Sequence, residues 1–270
     1  MPDQSCSRPG EAADPVTLAK RDLKRNLPRR FYKEAKAECR NGAYVLLLDR
    51  RAAKTPGGNP LALPALAASR RLADEWEAQG EFIDPAAMPF TRIVNSAIDG
   101  VARQLDATAE EIAKYAASDL VCYRAPGPKA LAEAQAAAWD PILSFARDRL
   151  GAGFICTEGV VFVEQPEPAR TAVKEAVARI ATSGPAAPFA LAALHVMTTL
   201  TGSVLIALAV AHGELTPAEA WAAAHVDEDF EMQAWGEDAQ ALERRARRLR
   251  EMEAAALLWQ LVAADVYPAT

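Results

Sequence analysis

The spacing of apolar residues changes partway along this chain. Between Phe31 and Pro60 they fall in short runs divided by turn residues. Phe31–Cys39 and Ala43–Asp49 read as strands, and Arg40-Asn41-Gly42 between them carries Asn-Gly, the strongest short hairpin signal. Arg50-Arg51 turns into a short strand, Ala52–Thr55, and Pro56-Gly57-Gly58-Asn59-Pro60 ends a small β-meander. From Pro64 the period lengthens. Pro64–Gln79 reads as a helix with proline in its first turn and Gly80 after its end. A proline-rich joint, Glu81–Phe90, precedes a helix over Thr91–Val101. Another starts near Thr108, with Thr108 and Glu111 as a capping box. Lys129–Leu150 reads as a helix broken at Asp140-Pro141, because proline lacks the donor and clashes with the preceding turn.

Beyond it, Phe154–Cys156 and Val160–Val163 pattern as a hairpin around Glu158-Gly159, and helices follow to the end. Thr216-Pro217-Ala218-Glu219 is a complete helix start. The last helix keeps Leu242, Ala246, Leu249, Met252, Ala256 and Trp259 at helical spacing. The fold class is therefore α+β, a small β-rich N-terminal domain followed by a larger, mostly α-helical domain. Residues 1–27 read as a disordered tail, 28–85 as the β-rich domain with one helix, and 86–270 as the helical domain.

The longest uncharged run, Pro185 to Gly213, has the length of a membrane span. Thr198, Thr199, Thr201, Ser203 and His195 dilute it and no basic cluster flanks it, so it reads as a buried central helix without stable membrane insertion. Residues Met1 to Leu27 hold no apolar stretch of a secretory signal, and Asp3, Glu11 and Asp14 speak against a transit peptide.

Composition narrows the function. The 270 residues are 51% hydrophobic and 24% charged, as in a soluble globular protein, and the net charge of −6 argues against a nucleic-acid partner. Cys6, Cys39, Cys122 and Cys156 form no Cys-x-x-Cys pair, which excludes the common zinc and thioredoxin motifs and suits reduced thiols. His195, His212 and His225 lack the i, i+4 spacing of a helical metal site. The glycines at 57 and 58 lack the Gly-Lys-Ser/Thr ending of a phosphate loop, and there is no Gly-x-Ser-x-Gly elbow. Neither a metal, a cofactor nor a catalytic residue is indicated. Arg244, Arg245, Arg247, Arg248 and Arg250 alternate with Glu243, Glu251 and Glu253, as expected for pairing within one exposed helix. Asp227-Glu228-Asp229, with Glu231, stands beside Phe230 and Trp235. Like charges this close repel unless a partner neutralises them, and aromatic neighbours are common interface anchors.

Several segments together resemble one family, the assembly chaperones for the alpha subunit of the mitochondrial and alphaproteobacterial F-type ATP synthase. They are Thr55-Pro56 with Leu61-Ala62-Leu63-Pro64, Glu75-Trp76-Glu77-Ala78-Gln79, Met88-Pro89-Phe90-Thr91, Ser118-Asp119-Leu120-Val121-Cys122-Tyr123-Arg124, and Asp227-Glu228-Asp229-Phe230 with Trp235-Gly236. The family pattern favours Glu then Gln in the acidic segment. Here Asp227 opens it and Glu231 replaces the Gln, so charge is kept while reach shortens. The resemblance implies a non-enzymatic chaperone without cofactor, whose partner is the alpha subunit. It implies partner-binding roles for Asp227, Glu228, Asp229, Phe230, Glu231 and Trp235. Structural or interdomain roles follow for Trp76, Asp119, Tyr123 and Arg124, with Trp76 expected to lock the two domains. The compartment it implies is the bacterial cytoplasm, or the mitochondrial matrix for eukaryotic relatives. Two other classes stay open on the residues alone: an enzyme with a scattered site, and a membrane-peripheral factor or helical adaptor using Pro185–Gly213.

Overall fold

A computed structural model describes residues 27–236, 238–263 and 266; the tail before Leu27, with Cys6, lies outside the described residues. β1 (Ala35–Arg40) and β2 (Ala43–Leu48) form an antiparallel hairpin in which Arg40 faces Ala43. Its two-residue turn places Asn41 and Gly42 at φ 53° and 81°, the left-handed conformations that Asn-Gly supplies. β3 (Arg51–Ala52) and β4 (Ala62–Leu63) pair with opposite ends of the other edge of β2. β2 is thus central, and Val45 to Leu48 are buried on both faces. β1 begins at Ala35, four residues later than its apolar start suggests. Phe31 is exposed, and the Asp49 carboxylate accepts the Lys33 and Glu34 N–H groups, so that stretch is held without joining the ladder.

α1 (Leu66–Glu77) lies against β1 and β2 and starts beyond Pro64, with Ala65 as its cap, so the proline stands outside the helix. α2 (Pro89–Asp99) carries its own proline in the first turn. α3 (Leu105–Lys114) starts before Thr108. That threonine lies inside the helix with its hydroxyl on the Gln104 carbonyl, 3.0 Å away, so it forms no capping box with Glu111. α4 (Lys129–Leu150) passes through Pro141 unbroken. Proline withdraws one donor from the helix, a cost of about 3 kcal/mol. Burial of Gln135, Trp139, Ile142 and Phe145 along one face offsets it.

The hairpin expected around Glu158-Gly159 does not form. β5 (Tyr123–Arg124) and β6 (Thr157–Glu158) pair in parallel instead, so the strand partner comes from 34 positions away. Val160–Val163 joins no strand. α5 (Glu167–Ala181) leads to the uncharged run, which is two helices: α6 (Ala187–Thr201) and α7 (Val204–Ala211). Gly202, at φ 69°, ends the first, and the Ser203 side chain caps the second through the Ile206 N–H. All eight residues of α7 are buried. Among the described residues no single helix is long and apolar enough to cross a membrane. α8 (Pro217–Ala224) has the full Thr216/Glu219 capping box. α9 (Val226–Trp235) and α10 (Ala239–Val262) close the chain. α10 packs along α6, and its burial is concentrated from Met252 onward, while its first half is largely exposed.

Two carboxylates join the sheet layer to the helices. Glu75 on α1 is buried and accepts the Phe90 and Thr91 N–H groups at 3.1 and 2.7 Å and the Thr91 hydroxyl at 2.6 Å, satisfying the free donors at the start of α2. At the other end of α2, Asp99 accepts the Thr55 hydroxyl (2.6 Å), the Gly57 N–H (2.8 Å) and the Asn59 amide (2.7 Å), which hold its carboxyl below the usual range. The glycine-rich loop therefore cradles an internal carboxylate. A Cβ on Gly57 would sit 2.6 Å from an Asp99 oxygen. Gly57→Ala is expected to lower the Tm by about 2–6 °C. Gly80→Ala, where a Cβ meets nothing within 4 Å, should leave it unchanged. Equal melting curves for the two variants would show that the cradle does not hold the layers.

Candidate docking surface

The acidic segment forms the first turn of α9, where exposed helix N–H groups favour negative charge. Its four acids are not equivalent. The Asp227 carboxylate accepts the amide of Gln135, a side chain buried on α4, at 2.6 Å. Asp229 makes an ion pair with Arg245 of α10. Glu228 is largely exposed and lies 3.8 Å from the ring of buried His225, and Glu231 is exposed. Burial lowers the pKa of His225, against the upward pull of the Trp221 carbonyl and Glu228. The sequence grouped these four acids as one partner-binding segment. Instead, Asp227, although exposed, and Asp229 are bonded to other elements of the fold, while Glu228 and Glu231 add outward charge beside them.

The apolar members divide in the same way. Phe230 is half-buried and lines a groove of about 470 Å³ between α4, α8 and α9, with Ala137, Ala138, Pro141, Leu215 and Ala222 along its walls. Pro141 adds an apolar wall to this groove. Trp235, at the end of α9, is 88% exposed. One helix thus presents an exposed indole, a grooved phenyl and the exposed carboxylates of Glu228 and Glu231.

The other residues singled out from the sequence support the fold. Asp119 is fully buried, with its carboxylate on the Val121 N–H (3.3 Å) and on the Leu205 N–H at the start of α7 (3.1 Å). Burial pushes its pKa up to about 6 against those donors. Tyr123 and Arg124 are β5 itself. Arg124 lies over the Trp139 ring and pairs with Asp140 at 2.8 Å. Trp76 packs against Tyr32, ring centroids 5.7 Å apart, and its carbonyl accepts the Tyr32 hydroxyl at 2.7 Å. The bonds across the joint are made by its neighbour Glu75. In α10, Arg245 reaches Asp229 and Arg248 reaches the Leu200 carbonyl, so these two arginines bind other elements rather than glutamates of their own helix. Gln135 was missed altogether, since a glutamine among alanines gives no signal before the fold places it.

Little here favours bond-making chemistry. Asp119, the carboxyl with a raised pKa, is occupied by backbone donors, and burial pushes the Cys122 thiol well up. Among the described residues no three His, Cys, Asp or Glu side chains gather around one point. A larger groove of about 730 Å³, bordered by Arg92, Glu111, His195 and Glu251, is rimmed by the Arg92–Glu251 ion pair, and burial lowers the pKa of its histidine.

Residues 29–147 match the family described as ATP12 chaperone protein. The crystal structure of a candidate chaperone from Agrobacterium tumefaciens is 45% identical, with a TM-score of 0.82 and coverage of 93% of this chain and 92% of that one. Atp12 from Paracoccus denitrificans is 40% identical at a TM-score of 0.78, covering 87% of this chain and 98% of that one. This chain belongs to the ATP12 chaperone family. An aspartate-to-lysine mutant of P. denitrificans Atp12p matches almost equally, at 39% identity and a TM-score of 0.78, over 87% of this chain and 97% of that one. The ATP12 fold is the α+β arrangement the sequence indicated, short N-terminal strands followed by a mostly helical region. Membership in a chaperone family also points away from catalysis.

Proposed function

We propose that this ATP12-family protein binds the unassembled alpha subunit of the F-type ATP synthase, keeps it from aggregating, and releases it to the beta subunit without chemical turnover. The observation that carries this reading is α9, where an 88% exposed Trp235 stands on the same helix as the outward Glu228 and Glu231. The indole and the grooved Phe230 give this helix two aromatic side chains of the kind that anchor interfaces, and the exposed carboxylates beside them select a partner with basic groups. An alpha subunit lacking its neighbours exposes surfaces meant for burial, and such surfaces aggregate. A protein that covers them stabilises the subunit by mass action, and beta displaces it by binding more tightly. No nucleotide hydrolysis is required. The proposed compartment is the bacterial cytoplasm, where head subunits await assembly; cell fractionation tests it.

The direct test is co-expression with the alpha or beta subunit of the same organism, followed by affinity capture and a solubility assay. A one-to-one complex with alpha, none with beta, and alpha insoluble without the chaperone are the expected results. Alpha that stays equally soluble alone and is not captured would refute the reading.

A further inference from the structure

Four apolar side chains stand in water on one loop. Between α4 and α5, Val160 is 99% exposed, Val161 72%, Phe162 65% and Ile155 46%. Single exposed apolar residues are ordinary, whereas a contiguous set marks a surface of contact. The base of this loop is held firmly. Gln165 is buried, and its amide both accepts the Ile155 N–H and donates to the Ile155 carbonyl, each at 2.8 Å, clasping residues 155 and 165 together. Thr157–Glu158 pair with β5, and the Gly159 N–H reaches the Arg124 carbonyl at 2.8 Å. These bonds order a segment whose tip stays largely in water.

The same strand leads to the acidic helix. The Ala125 N–H donates to Gln135 Oε1 at 2.8 Å, and Gln135 Nε2 donates to Asp227 at 2.6 Å. One hydrogen-bonded path therefore joins the loop base, β5, the buried Gln135 and the first turn of α9. The loop also repeats the chemistry of that helix, since exposed Glu158 and Glu164 flank its apolar tip, Glu164 lying 3.6 Å from Arg170.

We infer that loop 155–165 is a second arm of the client-binding surface, placing Val160, Val161 and Phe162 on an apolar patch with a basic rim on the unassembled alpha subunit while α9 engages basic groups of the same subunit. This rests on the proposed function above. Charge complementarity selects that occupant. Acidic flanks on a chain of net charge −6 disfavour both a second copy and an anionic bilayer, and continuity with α9 through Gln135 favours the partner α9 binds.

The test is Val160→Ser/Val161→Ser/Phe162→Ser in the full chain, titrated against alpha subunit, with sedimentation of the chaperone alone and flotation on phosphatidylglycerol vesicles. The substituted side chains are exposed, so the variant should melt with the parent. The expected result is alpha capture weakened about tenfold or more, as for loss of interface anchors. Unchanged capture would overturn the inference while leaving the proposed function standing. A parent dimer that the variant dissolves, or flotation that depends on the loop, would assign the tip to self-association or to a membrane and overturn it as well. A parent that captures no alpha subunit would remove the proposed function, and this inference with it.

Discussion

Glu228→Lys/Glu231→Lys is expected to weaken alpha-subunit binding by about tenfold or more and to lower the Tm by no more than about 4 °C. Both side chains are exposed, and Glu228 lies 3.8 Å from the His225 ring. Exposed pairs of this kind contribute about 0–1 kcal/mol to stability. At an interface, placing like charges together costs several kcal/mol, so about tenfold is a lower expectation. The parent complex should weaken as salt rises, and the variant should lose most of that dependence. Calorimetric titration at low and high salt checks both points; equal affinities for parent and variant would remove charge from the mechanism. Asp227→Ala and Asp229→Ala are poorer probes. They strip the partner from Gln135 and from Arg245, so any loss of binding would be mixed with a disturbance of the fold.

Asp119→Ala should be among the most destabilising single substitutions in the chain, costing about 3 kcal/mol, or about 6–12 °C in Tm. The variant leaves the buried Val121 and Leu205 N–H groups without an acceptor, one of them at the start of α7, where the Ser203 cap alone remains. The charge itself gives a second signature. The Asp119 carboxyl is raised from 3.8 to about 6, so between those values the folded chain keeps a proton that the unfolded chain has released. Its contribution to stability is therefore greatest below pH 4, falls as pH rises through that window, and is lowest above 6. Asp119→Asn removes this titration. The Tm of the parent relative to the Asn variant should decline from pH 4 to pH 6 and then level off. Parallel profiles would mean that the N–H donors keep the carboxyl ionised throughout.

The features legible from sequence were those in which local chemistry decides alone. Asn41-Gly42 places a turn because those residues tolerate positive φ, and Thr216 with Glu219 starts a helix because both partners of the capping box lie within one turn. The acidic and aromatic residues of α9 were also visible, since the segment that bears them is contiguous. Two of the misreadings share one cause. Pro141 and the Val160–Val163 run were judged by their neighbours in the chain, but partners far away in sequence settle both, whereas Thr108 is settled by the Gln104 carbonyl one turn back. Pro141 stays helical because Trp139, Ile142 and Phe145 bury one face of α4. β6 pairs with β5 rather than turning back on itself, because the strand it meets arrives from before α4.

By itself, the sequence determined the α+β order of elements, the Asn41-Gly42 hairpin, most of the helix positions and the segment that carries the exposed acids. Those follow from periodicity and from side chains acting within a few residues. Only the tertiary structure decided which acids are free, because whether Asp227 meets Gln135 and Asp229 meets Arg245 depends on how α4 and α10 pack beside α9. It also left Trp235 and the loop tip at Val160 to Phe162 exposed. Burial is a property of packed elements, and no residue's own chemistry determines which side of the packing it will face.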